Sequence, residues 1–289
     1  MPEFFHELGH ILWHPALETL KMAPILFLAY LLMEWLEAAE GSKISNAFKK
    51  AKRTGPLFGA IMGLIPQCGF SGAIAGMYAA GTVTAGTLLA VMLSTSDEML
   101  PVLISAQVSV TLIVLILALK LVIGIICGFA ADFIIRRQNA EREEDIHGFC
   151  EREHCSCKDG IFLSALKHTL KILLIIYIVS VLLHFAVGLV PEETLKTILN
   201  FPVLSQLAAS LIGLIPSCAV SVTLTNLYVE GALGLAPLLC GLLTNGGVGL
   251  LVLFRQNKDR KNTLFITALL LVSGLIFGSL AGFIFEGIL

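Results

Sequence analysis

Gly63-Leu64-Ile65-Pro66-Gln67-Cys68 and Gly213-Leu214-Ile215-Pro216-Ser217-Cys218 are one phrase written twice, 150 residues apart. The register holds around them without a gap. Ser71 meets Ser221, Tyr78 meets Tyr228 and Gly81 meets Gly231. Further on, Leu121-Val122, Gly124, Ile126, Gly128 and Phe133-Ile134 recur as Leu271-Val272, Gly274, Ile276, Gly278 and Phe283-Ile284. Upstream, Thr19-Leu20-Lys21 matches Thr169-Leu170-Lys171. Scattered Leu and Gly matches arise by chance in an apolar chain. One register kept over about 115 positions, with Pro and Cys included, does not. The chain is an internal duplication.

The setting of that duplication is apolar. Of 289 residues, 56% are AVILMFWYC, and the 26 glycines take the apolar share to about 65%. Soluble domains sit near 45–50% on that count, with about 25% charged residues. Here 14% are charged and the mean hydropathy is +0.88. No single soluble core of this length hides so much apolar surface. The net charge of −2 offers no footprint for nucleic acid. The composition also excludes a disordered chain and a disulfide-stapled secreted module. It reads as an all-α polytopic membrane protein.

A helical crossing needs about 20 apolar residues. Leu17–Leu36, Val108–Ile135, Ile161–Val190 and Thr263–Ile288 qualify. The stretches 56–104 and 203–254 are too long for one span and are interrupted internally, so the expected count lies between eight and ten. Residues 1–16 lack a basic n-region and a small-residue cleavage site, so no signal peptide is expected. Lys43, Lys49, Lys50, Lys52 and Arg53 occupy one connection. Arg136, Arg137, Arg142, Arg152 and Lys158 occupy a second, and Arg255, Lys258, Arg260 and Lys261 a third. Basic loops face the cytoplasm, which puts both termini outside. The basic 43–53 corresponds by register to the acidic 192–203, and the basic 255–261 to the uncharged 105–111. Equivalent loops on opposite sides mean that two inverted-topology repeats, 1–135 and 161–289, flank a cytoplasmic loop, 136–160. Each repeat then crosses the membrane an odd number of times. Inverted repeats of this kind mark secondary transporters, with the site at the repeat interface near the midplane.

Pro66 and Pro216 break otherwise apolar segments, because Pro removes a helical hydrogen bond and clashes with the preceding turn. In hydrocarbon the freed backbone groups need protein or a water-filled cavity. Gln67, Cys68 and Ser71 follow one break, and Ser217, Cys218 and Ser221 the other. A second break in each half is Ser94-Thr95-Ser96-Asp97-Glu98, matched to Thr244-Asn245-Gly246-Gly247. Ends of half-helices expose carbonyls or N–H groups that bind ions of either sign. Intramembrane carboxylates such as Asp97 and Glu98 are functional candidates, although Asp97 also suits an N-cap for a helix starting at Met99. The ion-binding set read from the sequence is therefore Gln67, Cys68, Ser71, Ser94, Thr95, Asp97, Glu98, Ser217, Cys218, Ser221, Thr244 and Asn245.

Lys120 lies in the middle of a span, where a charge requires a partner. Asp97 or Glu98 would serve, and such a pair opening on protonation would be a coupling element. A lysine solvated in an inward cavity is the bland alternative. Its repeat counterpart is Leu270. Glu34 and His184 are a repeat-related pair suited to relaying protons, or simply solvated near the interfaces. The loop holds His147, Cys150, His154, Cys155 and Cys157, whose thiolates and imidazoles suit soft or borderline ions. In a reducing cytoplasm these are free thiols that bind a metal as an accessory, or else a polar linker. Cys127 and Cys240 have no repeat partner and read as small buried hydrophobes.

These features together, the paired Gly-Leu-Ile-Pro-x-Cys segments at 63–68 and 213–218, the breaks at 94–98 and 244–247 and the Cys/His-rich loop, resemble the ten-span heavy-metal exporters of bacteria. Members of that family are described as arsenic efflux proteins or as manganese transporters. The resemblance covers nearly the whole chain and implies an efflux permease of the bacterial inner membrane.

The reading that follows is efflux of a thiophilic metal or metalloid ion, arsenite-like or a soft divalent, exchanged for protons. Its partners are the ion, protons and the bilayer, with a homo-oligomer left open; no resident cofactor and no nucleic acid are expected. No phosphate-binding P-loop occurs. A hard divalent such as manganese, held by Asp97, Glu98, Asn245 and open carbonyls, is the alternative within the same class. An enzyme with Cys68 as nucleophile lacks an adjacent base. A metal sensor working through 136–160 leaves the duplicated breaks unexplained.

Overall fold

A computed structural model describes residues 16–17, 19–20, 23–24, 26–28, 31, 54–67, 69–96, 99–138, 161–188, 202–257 and 259–286. Every regular element among them is α-helical. In chain order these are α1 (Gly69–Ala79), α2 (Ala85–Ser94), α3 (Met99–Ser105), α4 (Val110–Gln138) and α5 (Ile161–Gly188). Then come α6 (Pro202–Gly213), α7 (Cys218–Val229), α8 (Leu235–Thr244), α9 (Val248–Gln256) and α10 (Arg260–Glu286). Residues 54–63 are also helical, as are those described between 16 and 31. The element order of 54–138 recurs in 202–286, with α2 and α8 offset by the same 150 residues as the sequence register. The loop 136–160 lies outside the described residues except for 136–138.

The segments around Pro66 and Pro216 turn back on themselves. Residues 54–63 run alongside α2 in the same direction: a Cβ on Gly55 would meet Thr87, on Gly59 Thr87 and Val91, and on Gly63 Val91 and Ser94. Pro66 has no N–H for the Met62 carbonyl, which Ile65 takes instead in a tighter turn at 3.2 Å. In the second half Ile215 takes the Ile212 carbonyl in the same way at 3.0 Å. The chain then restarts as α1, and a five-residue turn links α1 to α2, which it packs against. Helices that pack on each other across so short a connection are antiparallel neighbours. Thus 54–79 is a helical hairpin rather than a straight rod, and 202–229 is its counterpart. Gly81 and Gly231, at φ +81° and +73°, supply the left-handed residue that ends each returning limb.

The interrupted helices lie innermost. Every residue of α2 and of α8 is buried, whereas α4 and α10 display an apolar outer stripe. On α4 that stripe runs Val110, Val114, Val122, Ile126 and Phe133; on α10 it runs Leu264, Val272, Ile276, Leu280 and Phe283. Among the described residues, four stretches are long and apolar enough to cross a membrane: Ala85–Ser105, Val110–Ile135, Leu235–Gln256 and Arg260–Phe285. The buried share is 75% and 89% for the two interrupted stretches, against 39% and 33% for the two long helices. A polytopic membrane protein is expected to look like this, with lipid-facing rods around a packed centre.

Two apolar cores result, and each mixes the halves. One joins Leu88 and Met92 of α2 and Ile123 of α4 to Ile172 of α5, Val252 of α9 and Ile266 of α10. The other joins Leu224 of α7, Leu238 of α8 and Ala281 of α10 to Met99 and Leu103 of α3 and Ile116 of α4. The returning limb of each hairpin packs on the short arm beyond the other half's break, α1 on α9 and α7 on α3. At the first of these contacts the Gly249 N–H donates to Ser71 Oγ at 3.2 Å. A Cβ on Gly249 would stand 2.7–2.8 Å from the Ser71 backbone and Cβ. Gly249→Ala is therefore expected to destabilise by about 1–3 kcal/mol, read as a lower unfolding midpoint in detergent. Gly72→Ala, whose Cβ would meet neighbours only at 3.5–3.9 Å, serves as the control with little effect.

Candidate functional site

In the first half, α2 stops at Ser94 because its own hydroxyls compete for the last carbonyls. The Val91 carbonyl accepts from Thr95 N at 2.9 Å, Thr95 Oγ1 at 2.6 Å and Ser94 Oγ at 3.2 Å. The Ser96 N–H leaves the helix pattern and donates to Gly63 O at 3.2 Å, while Ser96 Oγ donates to Leu64 O at 2.7 Å. The tip of the hairpin is thereby tied to the break in the neighbouring helix, so the two interruptions of this half meet at one level.

The second break follows the same plan with different chemistry. Thr244 Oγ1 donates to Cys240 O at 2.9 Å and to Gly241 O at 3.0 Å. The Gly246 N–H turns to Thr244 O at 2.9 Å, and Asn245 Oδ1 accepts from Gly247 N at 3.0 Å. Gly247, at φ +54° and ψ −149°, takes a conformation open essentially to glycine, from which α9 starts. A Cβ on Gly213, at the end of the outgoing limb α6, would collide with Thr244. Here too the hairpin tip and the break coincide.

Lys120 joins the two halves at this level. It is 1% exposed and, among the described residues, the one buried charged side chain. Its Nζ donates to the Leu242 carbonyl at 2.8 Å, at the C-terminal end of α8. Four residues along α4, a Cβ on Gly124 would lie 3.4 Å from Ser94, so α4 passes the first break while its lysine reaches the second. A cation at a helix C-terminus is favoured by the carbonyl dipoles gathered there.

The hairpin tips carry the remaining expected residues. Cys218 opens α7 and is 3% exposed; Ser217 caps that helix by accepting from Ala219 N at 3.3 Å. Ser221 Oγ donates back to Cys218 O at 2.8 Å, and Ser71 Oγ serves as the cap on α9 described above. Gln67 is half-buried, Pro66 exposed and Pro216 half-buried. Cys68, Asp97, Glu98, Glu34, His147, Cys150, His154, Cys155 and Cys157 lie outside the described residues, as does the side chain of His184. Among the described residues no three of His, Cys, Asp and Glu come together. Cys127 and Cys240 are buried with free thiols.

Two polar groups escape the repeat-based reading because their counterparts are not polar. Asp132, opposite Gly282 by register, caps α2: Oδ1 accepts from Gly86 N at 2.7 Å and Oδ2 from Thr84 Oγ1 at 2.8 Å. The other is Ser279, opposite Phe129, which donates to Gln206 Oε1 at 2.8 Å and lies 3.5 Å from Cys240 Sγ. An aspartate one turn before Arg136 was the available signal for the first.

A family model described as "Putative, 10TM heavy-metal exporter" matches residues 22–189, more than half of the chain. The chain belongs to that family. Heavy-metal export across a membrane is thereby its class of activity, as the resemblance implied. No curated protein and no solved structure matches it. The family match runs through the first hairpin, the first break, Lys120 and the central loop into α5, so it embraces most of the first-half features that distinguish the site.

Proposed function

We propose that this exporter is a secondary transporter of the inner membrane that carries a thiophilic metal or metalloid ion outward in exchange for protons. The observation that carries the reading is the meeting of hairpin tip and helix break in each half, with Lys120 linking the two. Such a centre presents carbonyl ends, N–H ends and side chains where an ion loses its water, and it can open to either side by rocking one half against the other.

Three placements support an orientation of the hairpins. The base of the first hairpin bonds to the start of α10 through Tyr78 Oη, which donates to Asn262 Oδ1 at 2.8 Å, beside the basic connection 255–261. The start of α2 is held by Asp132, one turn before Arg136 and Arg137. The base of the second hairpin, with Leu227 and Leu233, packs instead with Leu112 and Ile113 near the uncharged 105–109. Basic connections are cytoplasmic, so the first hairpin enters from the cytoplasm and the second from outside. Each limb of 10–12 residues reaches about 15–18 Å, half of a hydrocarbon core of about 30 Å. The hairpins are then re-entrant, and the crossings are 17–36, α2 with α3, α4, α5, α8 with α9, and α10. Six crossings, fewer than the eight to ten spans expected from the sequence, and four half-depth limbs make ten segments in two inverted halves, with both termini outside.

In this reading Cys68 and Cys218, one on each tip, present the soft ligands, with Gln67, Ser71, Ser217 and Ser221 around them. Thr95 and Asn245 add oxygens, Asp97 exchanges the proton, Lys120 couples the halves, and Glu34 and His184 relay protons. The Cys/His loop gathers the ion on the cytoplasmic side. Manganese is the second reading, favoured by the oxygen-rich breaks at Ser94–Ser96 and Thr244–Asn245. Proteoliposome flux with arsenite, Zn, Cu(I), Cd and Mn separates them. Soft-ion flux is the expected result, and Mn flux alone would overturn it.

A further inference from the structure

Cys240 reads from the sequence as a small buried hydrophobe, yet oxygen surrounds its thiol. It is 0% exposed on α8, with Sγ 3.5 Å from Ser279 Oγ and 3.7 Å from the Leu275 carbonyl, both on α10. Ser279 commits its own proton to Gln206 Oε1 of α6 at 2.8 Å, so it turns a lone pair toward the sulfur. Ser210, one turn beyond Gln206 on α6, is 0% exposed and also faces the thiol. Its Oγ holds no hydrogen bond, which is costly for a buried hydroxyl. Three helices thus bring oxygens to one S–H group.

The fold closes without such a cluster. In the 150-residue register Gln206, Ser210, Cys240 and Ser279 stand opposite Pro56, Ala60, Ala90 and Phe129. A Cβ on Gly128 would lie 2.9 Å from Pro56 Cβ and 2.8 Å from Ala90 Cβ, whereas a Cβ on its counterpart Gly278 would lie 2.8 Å from Cys240 Sγ. One half fills this contact with hydrocarbon and the other with sulfur and oxygen. Polar groups kept inside a membrane segment mark function.

We propose that Cys240, Ser210 and Ser279 form a second binding site for the exported ion, one turn to the outward side of the break at Thr244, and that it takes a divalent ion of the zinc–cadmium class. The inference rests on the export reading and on the orientation given there to the second hairpin. Neighbouring ligands of a tetrahedral ion, with metal–sulfur and metal–oxygen bonds of about 2.3 and 2.1 Å, stand about 3.6 Å apart; Cys240 Sγ and Ser279 Oγ are 3.5 Å apart. Binding breaks the S–H bond, forms a sulfur–metal bond with no change of oxidation state, and passes the proton to water. In reverse, a proton from outside restores the thiol and frees the ion. Gln206 touches no ion and positions Ser279. One thiolate among neutral oxygens holds an ion less firmly than the closed ligand sets of structural sites, as a point of release requires.

The full-length protein, purified in detergent with Cys240 as its single cysteine and the other six replaced by serine, is titrated with cadmium chloride. Thiolate-to-cadmium charge-transfer absorption is the readout. One equivalent per chain is expected, with release of one proton. Combining Ser210→Ala with Ser279→Ala is expected to weaken it roughly 10–100-fold. Cys240→Ala in the otherwise native chain is expected to bind one cadmium fewer than the wild type, which keeps the test open if the single-cysteine protein does not fold. No absorption from Cys240, or an affinity indifferent to the two serines, overturns the inference. Cadmium export unchanged by Cys240→Ala would overturn this inference and leave the export reading standing; cadmium held at Cys240 by a protein that moves no heavy metal would do the reverse.

Discussion

Export of the soft ion into proteoliposomes is expected to fall at least about 100-fold when Cys68→Ser and Cys218→Ser are combined. Outer ligand-orienting groups alone are worth about 10–100-fold in metal affinity, and replacing two thiolates by hydroxyls removes the ligands themselves. The hydroxyl is smaller and harder, so it suits none of the thiophilic ions. Each single substitution is expected to leave intermediate flux, since the two cysteines belong to opposite hairpins and are proposed to hand over one ion between them. The fold should survive: Cys218 is buried at a helix start, where serine is well tolerated. Unchanged flux in the double variant, with Tm preserved, would remove these thiolates from the mechanism.

Lys120→Met is expected to produce the second large effect. Methionine keeps most of the volume but cannot donate, so the Leu242 carbonyl is left unpaired in the buried centre. That omission costs about 1–3 kcal/mol, seen as a lower unfolding midpoint. Because the contact spans the two halves, it can differ between the inward- and outward-open states. A restraint of about 1–3 kcal/mol present in one state alone changes exchange by roughly 5–150-fold. Export is expected to fall within that range, and Lys120→Arg, which keeps a donor, to fall less. A Lys120→Met protein exporting at the wild-type rate would make the lysine a packing residue only.

Much of this architecture is legible in the residues because it is written twice. The Pro66 and Pro216 phrases locate the hairpin tips, the Ser94–Glu98 and Thr244–Gly247 phrases locate the breaks, and the apolar run 108–135 anticipates α4 closely. What the residues leave open is which interrupted stretch turns back, since an odd number of crossings permits either. That decision lies in backbone proximity: Gly55, Gly59 and Gly63 let a helix approach α2, and Ser96 ties the tip to the break. The Leu242 carbonyl that accepts from Lys120 is equally illegible, because a backbone carbonyl has no letter of its own; Asp97 and Glu98, the partners that the sequence suggests, lie outside the described residues. Asp132 has no polar counterpart in the other half, where Gly282 stands. A reading built on matched positions passes over a residue whose counterpart is glycine. Ser71 reads as an ion ligand by its polarity, and its hydroxyl also caps α9 across the two halves.

The central claim is that two hairpins enter the membrane from opposite sides and meet at its middle. Single cysteines at Gly81 and Gly231 test it, in a background with the seven native cysteines replaced. Both glycines are exposed, and a Cβ at either meets nothing within 4 Å; their positive φ costs a side chain only about 1–2 kcal/mol. A membrane-impermeant maleimide added to intact spheroplasts is predicted to label Gly231→Cys and to spare Gly81→Cys until the membrane is opened. Labelling of Gly81→Cys from outside, with Gly231→Cys protected, would mean that the Pro-containing segments cross the membrane, and it would contradict the account.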